Sequence, residues 1–335
     1  MTKTQKKLLM IGLTLTILIL WSLGMTLFNN WEKFINFWPI TLMMAFGSFI
    51  AGATTEGGGA VAFPVLTLFF EIPPVMARDF AWMIQTIGMG TAAFSILIYK
   101  TPFYKKVILP ISLGGLLGLY PGMKFLAPLV PPNYCKIFFT SLWLSFGVWI
   151  LIIEKRKRKL KVRDKQNDNF SLPLTKKNTF ILFSIGLIGS QISSLTGTGL
   201  DLFSFSFLVL YFNLDPKKVT FTSIILMAVN SLFGFLMKIG LGGPAPETWS
   251  MWWVSVPIVI FGAPLGAAFI KNKSKNFVLS LLVVIILIQF IMSYLIVNMT
   301  FELYLFSFLI FIFGFSFFFF VYSKMNFKNI KLTYS

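Results

Sequence analysis

Long apolar runs separated by short polar segments make up most of the chain. Eight of the runs are about 20 residues long, which is the length a helix needs to cross a bilayer core of roughly 30 Å. These runs predict spanning helices at residues 8–28, 76–98, 107–127, 134–153, 219–239, 251–270, 277–297 and 301–322. The pattern therefore predicts an all-α polytopic membrane protein.

Two further apolar stretches, residues 38–70 and 180–212, do not fit a single span. The first is interrupted at residues 54–59 and the second at residues 196–201, in both places by threonine, glycine and one carboxylate. Each stretch is predicted to form two helical arms around a non-helical break. Arms of about 15 residues reach roughly 22 Å, which would place each break near the middle of the membrane.

The basic residues of the chain predict its orientation in the membrane. The 29 Lys and Arg exceed the 11 Asp and Glu by 18, yet 56% of the residues are hydrophobic, so lipid is a better explanation than a nucleic-acid partner. By the positive-inside rule, 24 of the 29 basic residues fall on one face, which then holds both termini and the linker 154–177. The linker would lie against anionic lipid. We expect a multi-pass protein of a bacterial cytoplasmic (inner) membrane with both termini cytoplasmic.

This topology makes the interrupted stretches re-entrant hairpins from opposite faces, because 38–70 would begin and end outside and 180–212 inside. The hairpins also align at an offset of 142 residues, so that Ser48 corresponds to Ser190 and Pro74 to Pro216. Three predicted spans follow each hairpin. The halves 38–153 and 180–297 thus resemble the inverted repeats of secondary transporters, which bind substrate near the midplane. The terminal helices 8–28 and 301–322 would be scaffold or oligomer contacts, and assembly into a homo-oligomer is left open.

The glycine motif carries a family resemblance. Gly57, Gly58 and Gly59 are followed by Pro64, and Pro74 and Pro216 follow the second arms. With this motif the region of roughly residues 40–298 resembles the TauE/SafE sulfite exporter-like family of permeases, although the second copy carries Leu200, Asp201 and Ser206 at the family's Gly and Pro positions. The resemblance implies a carrier of sulfite, sulfonates or related small organic anions, commonly outward.

The breaks can bind such an anion, because the first N–H groups of a helix lack intrahelical acceptors and glycine has no Cβ to keep an oxyanion away. The candidate substrate-binding residues are Thr54, Thr55, Gly57, Gly58 and Gly59 at the first break, Thr196, Gly197, Thr198 and Gly199 at the second, and Gln85 and Asn230 in the helices that follow the hairpins. The alternative for the breaks is close backbone packing with threonines bonded inside their own break. For Gln85 and Asn230 it is interhelical hydrogen bonding.

Three charged residues complete the candidate set. Glu56 and Asp201 are the carboxylates predicted deepest in the membrane, where an ionisable group is usually functional, so each is a candidate proton or cation coupling site. Each could instead cap the first turn of a second arm. Arg78 is a candidate outer gate, or it forms a local ion pair with Asp79 or a snorkelling anchor.

Residue usage narrows the function classes. The chain has no His and a single cysteine, Cys135, which excludes imidazole metal sites and Ser-His or Cys-His catalysis. We expect no cofactor, no metal and no enzyme activity, since Leu200 also breaks the Gly-x-Gly-Asp spacing of an intramembrane aspartyl protease. The leading hypothesis is an exporter of small oxyanions that works by alternating access. An anion channel, a proton- or cation-coupled uptake carrier and a passive scaffold remain alternatives.

Overall fold

A computed structural model of the chain describes residues 2–54, 57–159 and 174–333. The described residues form twelve α-helices and no strand. The helices are α1 Lys3–Leu27, α2 Lys33–Ala53, α3 Gly57–Leu68, α4 Pro74–Ile98, α5 Lys105–Pro121, α6 Pro132–Lys159, α7 Lys176–Thr196, α8 Leu200–Leu210, α9 Pro216–Gly240, α10 Pro246–Lys271, α11 Lys275–Ile296 and α12 Phe301–Thr333. Ten helices of the described part are long and apolar enough to cross a membrane. The all-helical polytopic membrane fold is thereby confirmed.

The two interrupted stretches each form one long helix and one short helix that pack against each other. The long helices α2 and α7 have 21 residues, and the short helices α3 and α8 have 12 and 11. At 1.5 Å per residue the long arms extend about 31 Å and the short arms about 17 Å. The arms are thus unequal, whereas two arms of about 15 residues were expected. The first arms begin several residues earlier than predicted, at Lys33 and Lys176, and each could cross the bilayer by itself.

Corresponding helices of the two predicted repeats make corresponding contacts. The first arm α2 packs on α10, the first arm α7 packs on α5, and α4 packs on α9. Both crossings involving a first arm use glycines spaced four residues apart, Gly114 and Gly118 in α5 and Gly262 and Gly266 in α10. A Cβ on Gly118 would overlap the Leu187 carbonyl oxygen. Small residues therefore bring these helices to backbone contact, as is usual in membranes. The inverted orientation of the repeats stays a prediction.

The terminal helices lie at the periphery. Helix α12 packs on α6, where the Trp149 indole N–H donates to the Phe315 carbonyl at 2.7 Å. Helix α1 packs on α10 and leaves a row of leucine and isoleucine side chains, among them Ile19 and Leu20, exposed. Such an apolar surface is compatible with lipid rather than water. The buried polar side chains are instead concentrated where α4, α7, α8 and α9 meet.

In the described part of the chain, α5 continues beyond Pro121 as a π-helical segment, Gly122–Leu126, and a 3₁₀ turn, Ala127–Leu129. The predicted span 107–127 thus ends in irregular helix. The first of these segments packs on α7, where a Cβ on Gly122 would approach Ser194 to within 2.6 Å of its Cβ. The linker 154–177 lies partly outside the described residues, which stop at 159 and resume at 174.

Candidate functional site

The break between α7 and α8, residues 196–201, is here called tip 2, and its counterpart at residues 54–59 is tip 1. Helix α7 ends in a left-handed residue, Gly197, with φ +77°, whose N–H donates to the Ser193 carbonyl at 2.7 Å. Gly199, at φ +137°, precedes α8. Both angles lie in the region that favours glycine, so the two glycines allow the chain to leave one helix and begin the next within three residues.

Tip 2 is hydrogen-bonded internally. The Thr196 hydroxyl donates to the Thr198 carbonyl at 2.6 Å, and the Thr198 hydroxyl lies 3.1 and 3.2 Å from the two carboxylate oxygens of Asp201. The Gly199 N–H donates to Asp201 Oδ1 at 2.6 Å. Asp201 is buried in the first turn of α8, and its carboxyl group accepts from both of these donors. The two side-chain oxygens of Asp201 thus already occupy the donors of this half-helix.

Two residues of the following helices join tip 2 to the rest of the molecule. Gln85 of α4 donates from Nε2 to the Gly197 carbonyl at 3.4 Å and accepts from the Ser231 hydroxyl of α9 at 3.1 Å. Asn230 of α9 donates from Nδ2 to Ser193 Oγ at 3.0 Å. Gln85 and Asn230 therefore connect α4, α7 and α9 through buried interhelical hydrogen bonds around the break.

A charged cluster lies at the same place on α4. Arg78 donates from Nε and Nη2 to Asp79 Oδ1 at 2.9 and 2.7 Å, and Lys238 Nζ of α9 lies 3.3 Å from Asp79 Oδ2. Arg78 Nη1 also donates to the Ser194 carbonyl of α7 at 3.2 Å, and its guanidinium carbon lies 5.0 Å from the centre of the Trp82 ring. Arg78 is therefore in the ion pair with Asp79 and, in addition, in contact with the end of the helix that leads to tip 2.

Tip 1 is placed differently. The Thr54 hydroxyl donates to the Ile50 carbonyl in its own helix at 3.0 Å, and Gly57, Gly58 and Gly59 form the start of α3. Thr55 and Glu56 lie outside the described residues.

The ends of α2 and α7 both lie near α4. Ala53, the last residue of α2, belongs to an apolar cluster that includes Ala92 and Ile96 in the second half of α4. Tip 2 contacts the first half, since a Cβ on Gly197 would come within 2.6 Å of both the Ala81 Cβ and the Arg78 carbonyl oxygen. The structure thus brings the tip 2 residues together with Gln85, Asn230 and Arg78.

Sequence reasoning missed several residues of this site. The Ser193 hydroxyl accepts a hydrogen bond from Asn230, and the Ser194 carbonyl accepts one from Arg78. The Trp82 ring lies against the Arg78 guanidinium. A signal for the serines was present, because Ser190, Ser193 and Ser194 follow helical spacing on an otherwise apolar helix directly before the break. Nothing in the sequence marks Trp82 apart from other aromatic residues.

A small cavity borders the site between α2, α4 and α10. Its volume is only about 10 Å³, about enough for one water molecule, and its lining is apolar except for Gln85 and Ser48. The Ser48 hydroxyl is buried and has no hydrogen-bond partner within the described part of the chain. A buried polar atom of this kind calls for a water molecule or a ligand group.

Comparison with known proteins agrees with this architecture. The family model described as sulfite exporter TauE/SafE matches residues 40–295 of the chain. No curated protein and no solved structure matches it.

Proposed function

Since the chain belongs to the TauE/SafE sulfite exporter family, a family of membrane transporters, we propose that it exports small sulfur oxyanions such as sulfite or an organosulfonate by alternating access around the two tips. The observation that carries the proposal is tip 2, a glycine-formed helix break buried at the junction of α4, α7 and α9. Broken helices of this kind form the substrate sites of many transporters.

The donors at the breaks suit an oxyanion. At tip 2 the Gly199 N–H and the Thr198 hydroxyl already hold the two side-chain oxygens of Asp201, whose spacing is similar to that of one edge of a small oxyanion. At tip 1 three glycines, Gly57, Gly58 and Gly59, open α3, so that no Cβ shields the first N–H groups there. We therefore assign substrate binding to the two tips together with Gln85 and Asn230.

Asp201 and Glu56 take the coupling role in this proposal. Protonation of Asp201 would weaken its hydrogen bond to the Gly199 N–H and let the substrate compete for that donor, whereas an ionised Asp201 would repel an anion. Uptake against an inside-negative potential requires such a coupling group. Export does not, because one negative charge leaving through about 100 mV gains about 2.3 kcal/mol.

The orientation belongs to the same proposal. With both termini and the linker 154–177 on the cytoplasmic side of a bacterial inner membrane, the N-terminal end of α4 and the C-terminal end of α9 face outward. Arg78 and Lys238 would then lie toward the outer end of the substrate path.

A counterflow assay in proteoliposomes tests the function. Purified protein is reconstituted, vesicles are loaded with sulfite, thiosulfate or methanesulfonate, and uptake of labelled anion is followed. We expect trans-stimulated flux of at least one of the three. Flux without trans-stimulation would favour the anion channel, and no protein-dependent flux for any anion would refute transport of these oxyanions.

A variant of tip 1 tests the site. Gly58→Leu should abolish flux while the protein stays monodisperse in detergent, because a side chain at this position would obstruct the start of α3. Gly12→Leu is the matched control, since a Cβ at Gly12 meets no atom within 4 Å. Equal flux in the two variants would remove tip 1 from the substrate site.

A further inference from the structure

Two cations share one carboxylate in the cluster on α4 and α9. Arg78 holds Asp79 Oδ1 with two N–H groups, at 2.9 and 2.7 Å, and Lys238 approaches Oδ2 at 3.3 Å. The side chains of Arg78 and Asp79 are 6% and 3% exposed, and that of Lys238 is 20% exposed. The Asp79 carboxylate is therefore held at both oxygens by two different helices, away from bulk water.

The cluster carries one uncompensated positive charge. In the described part of the chain, Arg78 and Lys238 form salt bridges with Asp79 alone. The remaining Arg78 N–H contact goes to a neutral acceptor, the Ser194 carbonyl. Two cations on one carboxylate leave a net positive charge among these described residues, and such a charge attracts a further anion.

We propose that Arg78 and Lys238 form a binding station for the transported oxyanion, in which Asp79 occupies the place that the substrate takes. This inference rests on the proposed function. A guanidinium that offers two parallel N–H groups matches two oxygens of a small oxyanion, and the lysine supplies a point charge to a third. The ligand class is a free trigonal or tetrahedral oxyanion small enough to replace a carboxylate, such as sulfite.

The station is connected to tip 2 through Arg78. Its Nη1 donates to the Ser194 carbonyl, two residues before Thr196, and Gly197 packs directly on the Arg78 backbone. Substrate that takes the guanidinium from Asp79 therefore acts on the same side chain that holds the end of α7. The station and tip 2 therefore lie along one substrate path. The anion passes from the donors of tip 2 to the two cations, or in the reverse direction.

Equilibrium binding of radiolabelled sulfite to the full-length protein in phospholipid-free detergent tests the proposal. Asp79→Asn removes the competing charge and keeps a similar shape, so we expect the sulfite Kd to fall by about tenfold, the size of one charged hydrogen bond. Lys238→Met and Arg78→Lys should each raise the Kd by about tenfold or more. A merely structural ion pair would not give tighter binding on loss of Asp79.

The controls remove a charge elsewhere. Lys124→Met and Glu302→Gln change exposed residues that bond to Tyr120 and Tyr134, and neither should alter the Kd. An unchanged or raised sulfite Kd in folded Asp79→Asn would overturn the proposal. If that variant does not fold, Lys238→Met decides the matter, because its side chain lies nearer the surface and an unchanged Kd there is equally contradictory.

Two further measurements separate the sources of error. Phosphatidylglycerol added to the wild-type protein should not displace sulfite, and displacement would identify a lipid headgroup as the occupant and overturn the assignment. Wild-type counterflow is measured on the same preparation. Its absence would refute the proposed function, whereas normal counterflow together with an unaltered Kd in Asp79→Asn would refute only the station.

Discussion

At the scale of single residues, the shape of tip 2 depends on Gly197. A side chain there would be strained by the φ of +77° and would also meet the Ala81 Cβ at 2.6 Å. Left-handed backbone costs a residue with a Cβ roughly 1–2 kcal/mol, and overpacking adds about 1–3 kcal/mol. We expect Gly197→Ala to lower the free energy of unfolding by both amounts and to reduce anion flux, measured by denaturant unfolding and by counterflow.

Gly242→Ala separates the two effects. Gly242 has a φ of +104°, but a Cβ there meets no atom within 4 Å, so this variant should show the backbone strain alone and keep wild-type flux. If Gly197→Ala and Gly242→Ala lose the same stability and both transport normally, the contact of tip 2 with α4 does not matter for function.

Residue types at the site could be predicted, but their partners could not. The depth of Gln85 and Asn230 along their helices follows from helix rise, and the Arg78–Asp79 pair is local in sequence. The partners of Gln85 and Arg78 in α7 lie 112 and 116 residues further along the chain. Such contacts depend on how the helices cross, which no local pattern encodes.

At the scale of helices, apolar length and flanking residues predicted the elements well. The helix predicted at 76–98 forms Pro74–Ile98, and the one predicted at 219–239 forms Pro216–Gly240. In both, proline stands at the first turn, where its missing N–H is tolerated. The unequal arms around the tips were not predicted, because the flanking segments 33–37 and 176–179, into which α2 and α7 continue, contain lysine and asparagine.

The hold of Arg78 on the end of α7 can be tested with the one cysteine of the chain. Cys135 is buried, and its thiol lies 3.5 Å from the Leu195 carbonyl, next to the carbonyl that Arg78 binds. Arg78→Lys keeps the charge but removes the Nη1 N–H that donates to the Ser194 carbonyl, so the end of α7 should be held less firmly. We expect N-ethylmaleimide to alkylate Cys135 several times faster in this variant, as read by intact mass.

The control for this measurement is Lys124→Met, an exposed basic residue whose amine contacts Tyr120. It should leave the alkylation rate at the wild-type value. Equal rates in wild type and Arg78→Lys would mean that the guanidinium does not hold α7, although it could still bind substrate.

At the scale of the whole molecule, the contacts around the two tips correspond. The crossing of α2 with α10 and that of α7 with α5 use glycines at the same four-residue spacing, and Ser48 and Ser190 occupy corresponding places in the first arms. This correspondence supports two repeats that exchange their first arms. In carriers built from inverted repeats, alternating access is largely the movement of one repeat against the other around the site between them.

Whether anion transport is coupled to the movement of a proton is a property of the whole molecule, and it can be tested with an imposed membrane potential. Methanesulfonate carries one negative charge, so uncoupled export through about 100 mV should change its steady-state concentration ratio about fiftyfold. The potential is imposed on proteoliposomes with a potassium gradient and valinomycin, and Gly58→Leu vesicles report the leak. A ratio that ignores voltage but follows an imposed pH gradient would contradict uncoupled export, because the anion would then move together with a proton. In a chain without histidine, we expect a carboxylate to carry that proton, and the two candidates are Glu56 and Asp201, of which Asp201 is buried and binds the Gly199 N–H at tip 2.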